Sequence, residues 1–406
     1  MQKNRTSSCR SGRACALALG LLWCAIPTAS SGNRLGAATA RGPEAGNEIK
    51  EEAGAAGVRN ERPWQPCPYP PSETLAGVEF DWSTRLTQAR GSDIWPITWA
   101  DDDCQYAAFG DGAGFGAADT KSGGTEGRVS MGVARIEGPW DGYRGVNVWG
   151  GKNAENPAQL TGKGTGILCV DGALYMMVGG PASSCIPETR VAVSRDHSRT
   201  WTLSEWKWTM GDRLFGGAFL NFGRDYAGTR DGHVYVYFTR IANPPPPDQP
   251  RKWIHETPGR IDLARVPKDR LLEQAAYEWF AGLDGAGRPQ WSADMKARAH
   301  VFKDSNGIKV VSVCRQPSPG RYLLAYNPKD NRGNFGLFEA PEPWGPWRNV
   351  AYLRQHPPFL PPEENQRVSI FHFAPKWWST DGQQFTLIFN TGDDAWNTVR
   401  GRLHPR

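Results

Sequence analysis

The sequence predicts an all-β fold, a β-propeller of about five blades, on three observations. Apolar runs of strand length recur between turn signals along most of the chain. Short Gly- or Asp-containing turns join many of them. Gly, Pro and Trp are abundant, at 47, 32 and 18 of 406 residues, which fits many short strands, tight turns and aromatic packing.

The N-terminus comes first. Lys3, Arg5, Arg10 and Arg13 precede an apolar run from Ala14 to Ile26, and the small residues Ala29, Ser30 and Ser31 follow. A basic end, a hydrophobic middle and a small-residue cleavage site predict a signal peptide over residues 1–30. The run is short for a membrane span, which needs ~20 apolar residues. Trp23 before Cys24 fits a lipid-attachment site poorly. Export to the periplasm, the cell surface or the medium is expected, with no transmembrane span. Residues 31–71, rich in Ala, Gly, Glu, Asn and Pro, read as a disordered leader, and 72–406 as the propeller domain.

The formal net charge is +5, and four of the positive charges lie in the signal segment. This gives no electrostatic case for a nucleic-acid partner. Beyond the signal, Cys67, Cys104, Cys169, Cys185 and Cys314 remain. Cys169 and Cys185 flank one hairpin and are the expected disulfide pair, although spacing does not fix connectivity.

The strand-like runs follow in order: Ile94–Trp99, Tyr106–Phe109, Val129–Ile136, Ile167–Val170, Ala173–Val178, Val191–Val193, His233–Thr239, Val310–Val313, Tyr322–Tyr326 and Phe385–Phe389. Asp171-Gly172, Asp231-Gly232, Asn306-Gly307 and Asp381-Gly382 are hairpin signals, since Gly supplies the positive φ such turns need. One segment, Pro267 to Glu278, has helical character. Hairpins without βα alternation favour an antiparallel array that a propeller closes radially; a pair of β-sandwiches is the alternative.

Ser194-Arg195-Asp196-His197-Ser198-Arg199-Thr200-Trp201 resembles the Asp-box hairpin of sialidase-like propellers, with Ser198 in place of the usual Gly. Ser194, Asp196 and Trp201 are expected to be structural: Asp196 closes the turn through backbone N–H groups, and Trp201 packs between sheets.

Chemistry is expected at Gly91-Ser92-Asp93-Ile94-Trp95 and Phe109-Gly110-Asp111-Gly112. Asp93 begins one strand and Asp111 ends the next, so a hairpin brings both acids to one sheet edge. Hydrolysis of a glycosidic bond uses such a pair, one acid and one nucleophile or base, ~5–5.5 Å apart for retention and ~6.5–9.5 Å for inversion. Asp residues at strand ends are also ordinary turn chemistry. The run Asp101-Asp102-Asp103 reads as surface charge.

Several further stretches resemble the bacterial domain-of-unknown-function family that includes endo-D-arabinanases, five-bladed propeller glycoside hydrolases. They are Leu263-Ala264-Arg265-Val266, Ala276-Tyr277-Glu278-Trp279-Phe280 with Gln290-Trp291-Ser292, Gly320-Arg321-Tyr322-Leu323-Leu324, and Ala340–Trp347. The resemblance implies a catalytic Asp pair in the first blade, at Asp93 and Asp111, and a polysaccharide or glycan substrate of arabinan-like furanoside type. Gly112 departs from the Thr that many members carry.

Trp95 and Trp149 are candidate sugar-stacking faces, and Lys163, Glu188 and Arg190 candidate polar contacts. No zinc pattern is present and no cofactor is expected; a Ca²⁺ in the propeller channel remains open. A monomer is expected. Two rivals stand beside the hydrolase: a non-catalytic sialidase-like propeller that binds carbohydrate or protein, and a true sialidase, which needs an Arg triad for which Arg190 and Arg321 are available.

Overall fold

Near-continuous apolar runs make strands buried on both faces, and alternating runs make strands with one wet face. Both kinds occur in the computed structural model, which describes residues 63–116, 126–158, 160–180, 188–244, 256–329, 333–354 and 368–406. The first strand, β1 (Leu75–Gln88), alternates and lies at the periphery. Four antiparallel strands follow as one sheet in sequence order: β2 (Asp93–Trp99), β3 (Gln105–Gly112), β4 (Val129–Glu137) and β5 (Arg144–Trp149). Next come β6 (Lys163–Val170), β7 (Ala173–Gly180) and β8 (Glu188–Ser194), with the short β9 (Thr202–Leu203) and β10 (Trp208–Thr209) both on β8.

A ten-stranded sheet has two antiparallel halves. The first is β11 (Leu214–Asn221), β12 (His233–Arg240), β13 (Gly259–Pro267), β14 (Glu278–Leu283) and β15 (Pro289–Ser292), with β16 (His300–Asp304) also on β13. The second is β17 (Val311–Arg315), β18 (Tyr322–Tyr326), β19 (Phe335–Ala340) and β20 (Arg348–Leu353). A short parallel pairing, Leu220 with Val313 and Asn221 with Cys314, joins β11 to β17. The last sheet contains β21 (Ser369–Phe373), β22 (Gln384–Asn390) and β23 (Trp396–Pro405), and β1 completes it by pairing with β23.

The innermost strands β2, β6, β11, β17 and β21 contact one another in cyclic order, which makes the molecule a β-propeller. The ring is sealed by apolar clusters between neighbouring sheets. Ala108 and Met131 meet Ile167 and Leu174 on one side of the first sheet, and Trp95 and Phe109 meet Ile388 and Trp396 on the other. Each buried aromatic removes ~150–250 Å² from water, so these seams dominate the stability of the ring.

Residues 63–71, at the end of the expected leader, lie against this body. Gln65 N–H donates to Asn306 Oδ1 at 2.9 Å, and Tyr69 packs on Phe302 with ring centroids 4.7 Å apart. The signal segment lies outside the described residues, as does Cys185, the expected partner of Cys169; Cys67, Cys104, Cys169 and Cys314 are free thiols. The helical expectation for Pro267 to Glu278 is corrected. That segment turns by i to i+3 bonds, with Arg270 N–H on the Pro267 carbonyl and Glu273 N–H on that of Arg270. It contains only a 3₁₀ turn at Gln274–Ala276 before Glu278 opens β14. No helix among the described residues is long and apolar enough to cross a membrane.

Candidate active site

Asp93 opens β2 and pairs in register with Gly110 of β3, so Asp111 emerges at the same end of the hairpin. Lys163 opens β6, which packs against both strands. Its Nζ lies 2.5 Å from Asp111 Oδ2 and 3.7 Å from Asp93 Oδ1. The nearest oxygens of the two carboxylates are therefore no more than about 6 Å apart. The three side chains form a graded depression: 2 % exposed for Lys163, 23 % for Asp93 and 37 % for Asp111. The Asp93 Oδ1 and Lys163 Nζ atoms are shielded from solvent, and neither has a well-aligned hydrogen bond among the described residues.

Two glycines make room for this arrangement. A Cβ on Gly110 would stand 2.7 Å from Asp93 Oδ1 and 2.8 Å from Lys163 Nζ. A Cβ on Gly112 would collide with Ser92 Oγ at 2.0 Å. The Gly-Asp-Gly run thus carries an acid between two residues that must lack side chains.

The backbone beneath the acids is strained. Ile94 and Trp95 have φ of 80° and 59°, and Asp111 has 55°. The pairing of β2 with β3 shifts between Ile94 and Ile97, the mark of a bulge. A β-branched residue at positive φ is an outlier that costs about 1–3 kcal/mol and persists only where its surroundings over-determine it. Ile94 N–H donates to Asn390 Oδ1 at 3.3 Å, and the Trp95 indole N–H donates to the Ser92 carbonyl at 3.0 Å. Such strain concentrates at functional sites.

Burial pushes the Asp93 carboxyl above the ordinary range; Lys163 opposes this, the charge of Asp111 adds to it, and Lys309 opposes it again. One close ammonium faces two acids, so the cheapest charge state keeps a proton on the deeper one. The His372 ring, buried under the same bulge and bonded to the Ile94 backbone, is driven down to about 3 by burial.

The other expected site residues separate. Trp95 and Trp149 have no exposed face, which corrects their role as stacking platforms. Trp95 packs against Phe109, Phe115 and Trp396, and Trp149 lies in the seam between the first two sheets. Glu188 and Arg190 lie on β8, third in its sheet, and satisfy each other at 2.8 Å; Lys207 takes the second Glu188 oxygen at 2.6 Å. They are not brought to Lys163 by any contact among the described residues. Arg321 is likewise paired with Glu339, so both arginines considered for a sialidase triad are bound to carboxylates. Asp196 closes its turn by accepting from Thr200 N–H and Oγ1–H and from Ser194 Oγ–H, and the Trp201 indole donates to Ser198 Oγ. Asp101, Asp102 and Asp103 are exposed in the turn of the β2–β3 hairpin, as expected of surface charge, and there they meet His197, Tyr106 and Lys376.

Sequence reasoning missed Gly110, Asn390, His372 and Lys309. Gly110 had a visible signal in its neighbouring acid; the other three lie on distant strands or loops and have none.

A family profile described as a domain of unknown function (DUF4185) matches residues 87–377. No curated protein matches the sequence. Among solved structures, a candidate hydrolase from Bacteroides ovatus is 12% identical with a TM-score of 0.50, covering 78% of this chain and 87% of its own. That likeness shows a shared fold. A GH43_1 enzyme from Xanthomonas citri is 14% identical (TM-score 0.45, 79% and 91% covered). An α-L-arabinofuranosidase from Podospora anserina, solved with cellotriose, is 9% identical (TM-score 0.44, 83% and 97% covered).

Proposed function

This chain belongs to the DUF4185 family, and from that premise and the acid pair at Lys163 we propose that it is an exported glycoside hydrolase acting on a polysaccharide of arabinan-like furanoside type. The observation that carries the reading is the convergence of Asp93 and Asp111 on one buried ammonium at the end of a hairpin. The deeper acid keeps its proton because burial disfavours its anion. It therefore serves as general acid and gives that proton to the glycosidic oxygen as the bond to C1 breaks. Asp111, the more exposed partner of Lys163, supports the opposite step. It either attacks C1 or takes a proton from a water that does. Lys163 holds Asp111 in place and supplies the positive charge in direct contact with the pair. An upper bound of about 6 Å between their nearest oxygens leaves the retaining separation of ~5–5.5 Å within reach.

The test is a polysaccharide panel that includes arabinan, read as released sugar. Asp93→Asn and Asp111→Asn each lower turnover by about 10²–10⁴ with melting temperature nearly unchanged. The anomer first released shows which role Asp111 plays. Glycan binding with no released sugar from the parent protein marks a binding module instead. Export is tested by N-terminal sequencing of the secreted chain, which should begin after residue 30 and run as a monomer.

A further inference from the structure

A second cavity lies at the opposite end of β2 from the acid pair. β2 ends at Trp99, about 20 Å along the strand from Asp93. There a cavity of about 330 Å³ opens among the ends of β2, β11, β17 and the loop after β21. The volume lies within the range of about 300–1,000 Å³ typical of small-molecule sites. The indoles of Trp99 and Trp378, with Phe222 and two prolines, give it an apolar lining, and no carboxylate of the described residues lines it.

Its polar atoms are unusual. Of the two cations in the lining, Lys376 is paired with Asp103 at 2.8 Å. The Arg315 guanidinium makes no ion pair and no hydrogen bond among the described residues, and its Nε is shielded from solvent. The indole N–H of Trp378 is shielded and also lacks a partner among the described residues. Asn221, 8 % exposed, uses its Nδ2 on the Ile97 carbonyl, while its Oδ1 has no partner. The three residues that carry these orphaned atoms all border this one cavity. Buried polar atoms without partners are rare in folded proteins, and each asks for an explanation.

We propose that this cavity is a second binding site, built for a small organic molecule that carries a carboxylate on an apolar ring or chain. An unpaired guanidinium is the strongest single recogniser of a carboxylate. The aromatic walls suit an apolar body. A bare inorganic anion would leave the apolar lining unused, which favours the organic acid. This site does not depend on the hydrolase reading, since it shares no residue with the acid pair.

The test is calorimetry on the whole protein with phenylacetate, phenylacetamide and sulfate. Phenylacetate binds at least about tenfold more tightly than either of the others. Arg315→Met weakens phenylacetate by a similar factor with melting temperature held, and Arg315→Lys recovers part of the loss. Equal binding of phenylacetamide, equal binding of sulfate, an unchanged Arg315→Met, or no binding of phenylacetate at millimolar concentration each overturn the proposal. If Arg315→Met fails to fold, the comparison of phenylacetate with phenylacetamide on the parent protein decides alone.

Discussion

Lys163 Nζ reaches Asp111 Oδ2 at 2.5 Å from the neighbouring sheet, with its side chain almost wholly out of solvent. The contact joins the first two sheets at the point where the acids meet. Lys163→Met keeps the stem and removes the charge. The two carboxylates then face each other with only Lys309 to offset them, and like charges resist joint ionisation. Activity falls by about 10²-fold, the order expected for loss of one charged partner at a reacting centre. The pH optimum also moves, which a purely structural lysine would not cause. Full pH–rate profiles of parent and variant check this.

Gly110→Ala tests the space above the pair. A methyl there would sit 2.7 Å from Asp93 Oδ1 and 2.8 Å from Lys163 Nζ, so one of them must move. Displacements of about 1 Å near reacting groups cost ~10²-fold in rate. A large fall in kcat with a small change in melting temperature is the expected outcome. An unchanged kcat would show that the carboxylate can move without consequence.

The raised Asp93 pKa makes two linked statements. The folded chain holds this proton more tightly than the unfolded chain does. The associated stability is therefore complete below the ordinary carboxyl range and declines as pH rises through the raised value. Asp93→Asn removes that decline, so its melting temperature at neutral pH matches or exceeds the parent's, and the two converge in acid. The activity of the parent falls over the same interval as pH rises, because the acid loses its proton.

Trp95 is a wedge in the seam rather than a sugar platform. Trp95→Ala opens a cavity among Phe109, Phe115 and Trp396 and costs about 3–5 kcal/mol. Denaturant unfolding should show that loss. Trp95→Phe keeps KM near the parent value while lowering stability, whereas a stacking residue would raise KM first.

His372 sets an acid limit. Its folded pKa, about 3, lies below the ordinary histidine value near ~6.5. The stability of the neutral ring is complete above the ordinary value and is withdrawn as pH falls toward the folded one. Each pH unit in that window costs up to ~1.4 kcal/mol. Thermal melts of His372→Gln across the window should fall less steeply than those of the parent, and identical slopes would assign the acid sensitivity elsewhere.

The propeller was legible because its signals are local. Strand-length apolar runs and Asp-Gly turns report backbone geometry one hairpin at a time, and Asp171-Gly172 does adopt two positive φ values in succession. The meeting of Asp93 with Asp111 was legible for the same reason, since one hairpin contains both. Trp95 and Trp149 were misread because a Trp beside an acid looks the same in sequence whether it faces a groove or a seam. Glu188 and Arg190 could not be placed without knowing which strand of the sheet lies innermost. The part played by Asn390 crosses from the last sheet to the first, and no local pattern reports that. The apparent helix after Pro267 shows the limit of periodicity, since repeated i to i+3 turns bury the same residues that one helical turn would.

The sheet that closes the ring is assembled from both ends of the domain, with Leu75 of β1 beside Pro405 of β23. β1 precedes β23 by some three hundred residues, and its edge is bare until β23 pairs with it. A premature stop before Trp396 would leave β1 and β22 each with an exposed row of backbone donors and acceptors, a template for intermolecular association. Loss of β23, remote in sequence from Asp93 and Asp111, should therefore appear as aggregation of newly made chains.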